Sequence, residues 1–512
     1  MNSRIENSKR NIIGLLLNKI VGLLLPFLTR TIMIYYLGSI YLGLNSLFTS
    51  VLSVLSLAEL GISTAMVFSM YEPMAKEDHK TVCALLNLYK RIYFIIGVVI
   101  LILGAAVMPF LPILINGDFH KDINIYIVYS VNLINAVIGY FLFSYKESIL
   151  IASQRTDVVG IINTVVCIIL NVGQSIILVL TRNYYVYCLI LPLSTIIGMM
   201  ARCFIVDKMY PYYSCKGYVD ENTKSEIKKR VTGLFIYKLC DVLRFSLDSI
   251  VLSAFLGLTV LAKYNNYYYI MNAITGIMGV ISTSITASVG NSIVKESQEK
   301  NYRDFVRIQL LYIWIAGFCS SELFCLYQPF MKIWVGNDLM FADSLILLFC
   351  LYFFINRWGD ICFVYRQAAG LWWQDKIRPI VESLLNISLN IILVRIIGVA
   401  GVLVSTIIGL VFVNSIWGSR VLFKYYFNKY NQKKYIGRLL FYTIVTIFSW
   451  YVCFYLGQIF LSVTKCTNLW IEFVAKSIIC AVISNCIFSF AYSRLPEFSD
   501  SKELVLKLIK KR

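Results

Sequence analysis

The sequence predicts an all-α integral membrane protein of fourteen transmembrane helices, and three observations carry that expectation. The 512 residues have a mean hydropathy of +0.72, with 59% hydrophobic and only 15% charged residues, far from the balance of a soluble domain. The apolar residues fall in runs of about 20, the length that crosses a hydrocarbon core. The basic residues that give a formal net charge of +19 collect in every second loop.

The runs lie at approximately 11–37, 44–70, 92–115, 123–145, 158–181, 185–206, 231–256, 264–290, 308–330, 342–364, 379–397, 400–421, 439–461 and 469–492. One set of loops holds Arg4, Lys9, Arg10, Lys76, Lys80, Lys90, Arg91, Lys146, Arg155, Lys224, Lys228, Lys229, Arg230, Lys295, Lys300, Arg303, Lys376, Arg378, Lys429, Lys433, Lys434, Arg438 and the tail Lys510, Lys511 and Arg512. The other set has little beyond Lys121, Arg182, Lys263, Lys332, Arg395 and Lys465. By the positive-inside rule both termini are cytoplasmic, which requires an even number of crossings. The charge is therefore topological and gives no support to a nucleic-acid partner. The first apolar run is longer than a signal-peptide core and is expected to be retained. Fourteen Cys without CxxC spacing, and only His79 and His120, support neither a zinc site nor a disulfide framework.

The longest polar stretch, 207–230, divides the chain. The expected domains are a six-helix bundle at 1–206, a cytoplasmic linker at 207–230, a second six-helix bundle at 231–428, two appended helices at 429–493 and a basic tail at 494–512 whose Leu504–Ile509 segment lies on anionic lipid. No loop is long enough for a separate catalytic module.

The seventh run, Val231 to Gly257, carries Lys238, Asp241, Arg244 and Asp248. At about 2.5–3.5 kcal/mol per charge near a helix centre, against about −0.3 to −0.6 per large apolar residue, it inserts only within a bundle. The spacing puts all four on one face, where they serve a function or neutralise one another in pairs.

The two halves resemble each other at an offset of about 220 residues. Gly14 to Ile20 matches Gly233 to Leu239, pairing Lys19 with Lys238. Tyr36-Leu37-Gly38 matches Phe255-Leu256-Gly257, and Ile62-Ser63-Thr64 matches Ile281-Ser282-Thr283. Pro109-Phe110 matches Pro329-Phe330, Tyr145-Lys146 matches Tyr365-Arg366, and Asn171 matches Asn390. Six crossings apart, such repeats are parallel and related by an axis along the membrane normal, with a cleft between them as the substrate path.

Over nearly its whole length the chain resembles the Wzx-type polysaccharide flippases of the multidrug/oligosaccharidyl-lipid/polysaccharide (MOP) superfamily. The residues that carry the resemblance are Tyr36-Leu37-Gly38 with Tyr41-Leu42-Gly43-Leu44, Ala58-Glu59-Leu60-Gly61-Ile62, Asp248-Ser249-Ile250-Val251-Leu252 with Phe255-Leu256-Gly257, and Pro329-Phe330 to Trp334-Val335-Gly336. The resemblance implies two MATE-like six-helix bundles plus two C-terminal helices. It also implies alternating access, a cationic central cavity, and translocation of a polyprenyl-pyrophosphate-linked oligosaccharide to the outer leaflet. A lipid II flippase and a multidrug-extrusion-type exporter are the alternatives, and a membrane enzyme is disfavoured by the short outer loops.

That substrate needs a diphosphate site, a wet path for sugars and lipid access for a prenyl tail. Lys19, Lys238, Arg244 and Arg30 are candidate stations for the diphosphate, against snorkelling of Lys19 and Arg30 to the interfaces. Arg357 and Asp360, three apart, either meet substrate or pair with each other. Glu59, Asp360, Asp248 and Glu322 are candidates for proton or sodium coupling, with no other cofactor expected, though Glu59 can equally balance Lys19 or Arg30. Tyr264 and Tyr267 suit either sugar stacking or the interfacial belt, and Asn390, with Asn386, suits either a polar path or a helix–helix hydrogen bond. Membrane lipids, and a polysaccharide polymerase or glycosyltransferases, are the expected partners.

Overall fold

The computed structural model describes residues 2–59, 61–115, 123–153, 155–464 and 468–499. Side chains at 2–18, 232–245 and a few isolated positions lie outside that description. Every regular element among the described residues is helical.

Contacts divide the chain into two compact units, Met1–Ala262 and Lys263–Arg512. The first unit contains α1 (Asn2–Tyr36), α2 (Ser39–Leu55), α3 (Ile62–Ala75), α4 (His79–Val107), α5 (Ile125–Phe141), α6 (Glu147–Ala152), α7 (Thr156–Thr181), α8 (Tyr184–Met209) and α9 (Glu221–Leu256). Helix α10 (Leu258–Lys295) begins in this unit and continues into the second. The second unit goes on with α11 (Gln298–Val335), α12 (Asp343–Asn356), α13 (Asp360–Ala368), α14 (Trp372–Asp375), α15 (Ile377–Ile397) and α16 (Val399–Ile408). After a π-helical turn at Gly409–Trp417 come α17 (Gly418–Tyr425), α18 (Gln432–Thr464) and α19 (Leu469–Tyr492).

The helices are built inside-out relative to those of a soluble bundle. Helix α7 exposes Ile161, Val165, Ile176 and Leu180 while burying Asn171 and Gln174. Helix α15 exposes Leu384, Ile392 and Ile396 while burying Glu382, Ser383, Asn386 and Asn390. A stripe of aliphatic side chains facing outward with polar groups turned inward is what a hydrocarbon solvent selects, because a polar group in lipid is left without a partner. The protein is a multi-pass membrane protein.

Ten helices among the described residues are long and apolar enough to cross a membrane, and eleven if the bent pair Ile125–Phe141 and Ser144–Ala152 is one span. Fourteen crossings are not all matched by this measure. The expected spans outside it are those of α2–α3, α9 and α10. The first is broken, and the apolar part of α9 with described side chains is only Ser246–Leu256. Helix α10 mixes Asn265, Asn266, Thr283 and Thr286 with its apolar residues.

Local chemistry sets the helix ends. Asp78, Asn124, Asn183, Asp220, Ser297 and Asn468 each cap a first turn by accepting a backbone N–H with the side chain. The repeat is visible in the backbone. Gly38 has φ 97° and ψ 173°, and Gly257 has φ 87° and ψ 172°, each leading into the following helix. L-residues avoid that region, so glycine is required at both bends.

In the first unit α1 runs along α7, α8 packs on α5 and α7, and α9 packs on α2 and α3. In the second, α15 and α16 form a close hairpin, while α18 and α19 pack on each other and on α11. The C-terminal pair is joined to α11 by Trp314 Nε1 donating to Asn485 Oδ1 at 2.9 Å, by the Ser321 and Ser449 hydroxyls at 3.2 Å, and by Phe324 stacking on Trp450.

Candidate functional site

The second expected span is not one helix. Helix α2 stops at Leu55, Ser56–Glu59 tightens into a 3₁₀ turn, and Gly61 at φ 86° restarts the chain into α3. The Ser56 hydroxyl donates back to the Leu52 carbonyl at 2.9 Å, a bond that commonly bends helices. Such a break frees backbone groups and re-aims side chains, here Glu59.

The Glu59 carboxylate accepts a hydroxyl on each oxygen, from Tyr93 of α4 and from Tyr140 of α5. Tyr89 donates in turn to the Tyr93 hydroxyl at 2.7 Å. Tyrosine hydroxyls, rather than Lys19 or Arg30, thus hold this acid, correcting the expectation that Glu59 balances one of those cations. Two polar cavities of about 630 Å³ and about 300 Å³ share Glu59, Ser63 and Asn135 in their walls. A carboxylate between two polar cavities, bonded among the described residues by hydroxyls, can exchange a proton or take a small cation without breaking an ion pair there.

At the edge of the smaller cavity Glu147 of α6 pairs with Arg202 of α8 at 2.9 Å, and Arg202 also donates to Asn163 of α7. Further along, Lys146 pairs with Asp207 at 2.6 Å and Arg155 with Asp157 at 3.0 Å. The sequence reading passed over Glu147 and Arg202. Their partners lie on different helices, and the only signal available was an arginine within an apolar run.

The second unit has its own break, between α12 and α13. Arg357 is buried there and its Nη1 lies 2.9 Å from Asp360 Oδ2, which also accepts the Tyr312 hydroxyl. This is the internal pair that their spacing allowed. A larger network follows at the start of α15: buried Asp375 lies 2.8 Å from Arg378 and 3.7 Å from Arg366, and Arg378 pairs with Glu382 at 2.9 Å. Two arginines and two acids sum to no net charge, so the network is a structural clasp. The sequence reading missed it as well.

The other candidates fall as follows. Tyr267 is fully buried; its hydroxyl donates to Gln328 at 2.8 Å and accepts from the Phe341 N–H at 3.1 Å. Tyr264 is buried beside Phe349 and Tyr268. Both are packed inside the unit and present no open face for a sugar or for the interface, so neither role expected of them fits. Asn390 is buried, donating to Asn386 at 3.2 Å and accepting from Ser405 of α16, which makes it a clamp of the α15–α16 hairpin. Glu322 of α11 turns toward α19, where Ser477 donates to it at 3.1 Å. Lys19 is exposed, Arg30 half-buried and Asp248 buried, while the side chains of Lys238, Asp241 and Arg244 lie outside the described residues.

No protein-family model matches the chain. A Yersinia pseudotuberculosis protein named "Putative O-antigen export protein" is 26% identical over 215 residues, which are 41% of this chain and 45% of that protein, so the chain matches under half the length of this curated relative. Among solved structures, the lipid II flippase MurJ in an inward closed conformation aligns with TM-score 0.66 at 15% identity, covering 95% of this chain and 99% of MurJ. An inward-facing multidrug resistance MATE family transporter of the MOP superfamily aligns with TM-score 0.64 at 16% identity, covering 80% of this chain and 98% of that one. The chain has the MOP transporter fold.

Within the MOP fold the MATE alignment leaves 20% of this chain uncovered (100 − 80) and the MurJ alignment only 5% (100 − 95). The C-terminal pair α18–α19 packs on α11. It shapes a groove of about 940 Å³ with α11 and α12, walled by Phe324, Leu347, Phe448, Tyr451 and Tyr455. Lys332, Asp343, Glu472 and Lys476 line part of the same groove, so this MOP-fold chain offers a long apolar trough with polar groups along it.

Proposed function

We propose that the chain is a flippase that moves a polyprenyl-pyrophosphate-linked oligosaccharide from the cytoplasmic to the outer leaflet, for surface polysaccharide synthesis. The observation that carries this is the likeness to the lipid II flippase MurJ over 95% of the chain. The partial relative named for O-antigen export supports a glycan cargo. In this reading the groove against α18–α19 takes the prenyl tail, Lys19 and Lys238 take the diphosphate, and no covalent chemistry is done on the substrate. Both termini are cytoplasmic, as the basic loops argue. Glu59 is the coupling site, where a proton or sodium ion binds between the two polar cavities of the first unit. A lipid II flippase is the second reading, on the same structural likeness.

A leaflet assay tests both. Cells lacking the chain are expected to hold lipid-linked oligosaccharide accessible only from the cytoplasmic face, with lipid II distributed normally; trapped lipid II would select the second reading instead. Lys19→Ala with Lys238→Ala is expected to lower translocation at least about tenfold, as for losing a charge-assisted diphosphate contact, with unchanged protein in the membrane. Normal surface polysaccharide in that variant would remove the two lysines from the site.

A further inference from the structure

The polar segment after α8 is fastened to the first unit. Asn87 of α4 donates to the Gly217 carbonyl at 2.9 Å, the Ser214 N–H points to Cys83 Sγ at 3.3 Å, and the Arg91 guanidinium lies over the Tyr218 ring at 5.0 Å. This docking brings Tyr210, Tyr212 and Tyr213 beside the turn between α3 and α4. There the Tyr212 ring lies 4.6 Å from His79 and 4.7 Å from Tyr213, and Tyr213 stacks on Tyr210 at 6.0 Å. With Tyr71 and Glu77 they line a pocket of about 880 Å³, within the usual range for small-molecule sites.

Three features narrow what fits. Tyr212 is 51% exposed and Tyr71 42% exposed, so two aromatic residues are open to a ligand, in contrast to the buried Tyr264 and Tyr267. Among the described residues neither lysine nor arginine lines the pocket, although the surrounding loops carry Lys76, Lys80, Lys90, Arg91, Lys146 and Arg155. A phosphate would meet His79, Ser153 and tyrosine hydroxyls but no permanent cation, and would face the Glu77 carboxylate. An organic cation would have to approach through that basic field toward the single carboxylate of Glu77, which sits at φ 57°, a strained conformation for a residue other than glycine. A neutral ring meets neither objection. Its C–H faces stack on tyrosine while its hydroxyls bond the phenols and Glu77. Burial pushes Tyr213 above its ordinary value, so its hydroxyl, a donor at neutral pH in any case, stays one at more alkaline pH.

We propose that this pocket binds a neutral pyranose of the glycan headgroup at the basic, cytoplasmic end of the first unit, an inference that rests on the flippase reading above. It would hold the sugar portion before translocation, apart from the cavities around Glu59.

The test uses the full-length protein in nanodiscs of phosphatidylethanolamine and phosphatidylglycerol. Saturation-transfer NMR is recorded with the methyl glycosides of glucose, galactose, mannose, rhamnose, N-acetylglucosamine and N-acetylgalactosamine. At least one is expected to give a signal that falls at least about fivefold in Tyr212→Ala, the loss of one stacking face, and survives in Tyr212→Phe. The pocket assignment is overturned if no glycoside binds, if Tyr212→Ala leaves the signal intact, or if tetramethylammonium displaces the glycoside, which would mark a cation site. The leaflet assay reads separately. Glycoside binding by a chain that flips no lipid-linked sugar would end the flippase reading alone, and flipping without glycoside binding would end the pocket assignment alone.

Discussion

Glu59→Ala is expected to lower export of lipid-linked glycan at least about tenfold while leaving the protein folded in the membrane. The size follows from losing the group that two hydroxyls and two cavities converge on, with a charged hydrogen bond worth about 1.5–3 kcal/mol. The modest structural cost follows from the same surroundings: Tyr93 and Tyr140 would be left without their acceptor, but water in the adjoining cavities of about 630 and 300 Å³ can replace it. Glu59→Gln separates charge from shape, since an amide still accepts one hydroxyl but neither releases a proton nor neutralises a cation. Export is read as surface polysaccharide, and integrity as the melting of a fluorescent fusion in detergent. A Glu59→Gln protein that exports at the parental rate would remove Glu59 from coupling.

The second large effect is on stability. Asp375→Ala is expected to lower the chain's stability by about 3–5 kcal/mol, because it strands the buried guanidinium of Arg366 and takes one of two acids from Arg378. Arg378 keeps Glu382, whereas Arg366 loses its ion-pair partner and is closely packed on Gly418. Detergent melting should show the drop, together with depleted protein in the membrane fraction. The paired replacement Arg366→Met with Asp375→Leu should recover much of it, since apolar groups of similar volume can substitute for a buried pair. A parental melting curve for Asp375→Ala would show that the network carries no stability.

What the sequence made legible was periodic or local. Apolar runs gave the helices, and a spacing of three allowed the pair Arg357 with Asp360, because neighbours on one helix face are set by its pitch. What it hid depends on contacts between distant helices. Glu59 meets tyrosines 34 and 81 positions away, and Lys146 meets Asp207 at a separation of 61. The break at Ser56–Gly61 was hard to see because its Ser56, Glu59 and Gly61 alternate with Leu and Ala in a run whose average stays apolar. Tyr264 and Tyr267 were misplaced because composition at a helix end does not say which way a ring points, whereas Tyr212, in the polar stretch between the bundles, is left open.

The bends at Gly38 and Gly257 carry one more consequence, of handedness. Inverting their angles gives about φ −97° and ψ −173° for the first and φ −87° and ψ −172° for the second, ordinary extended backbone for an L-residue. A mirror-image alanine would therefore sit at either position without strain, where the natural enantiomer would not. The duplicated halves have drifted apart in most side chains, yet both keep an achiral residue at this corner, where chirality itself is the obstacle.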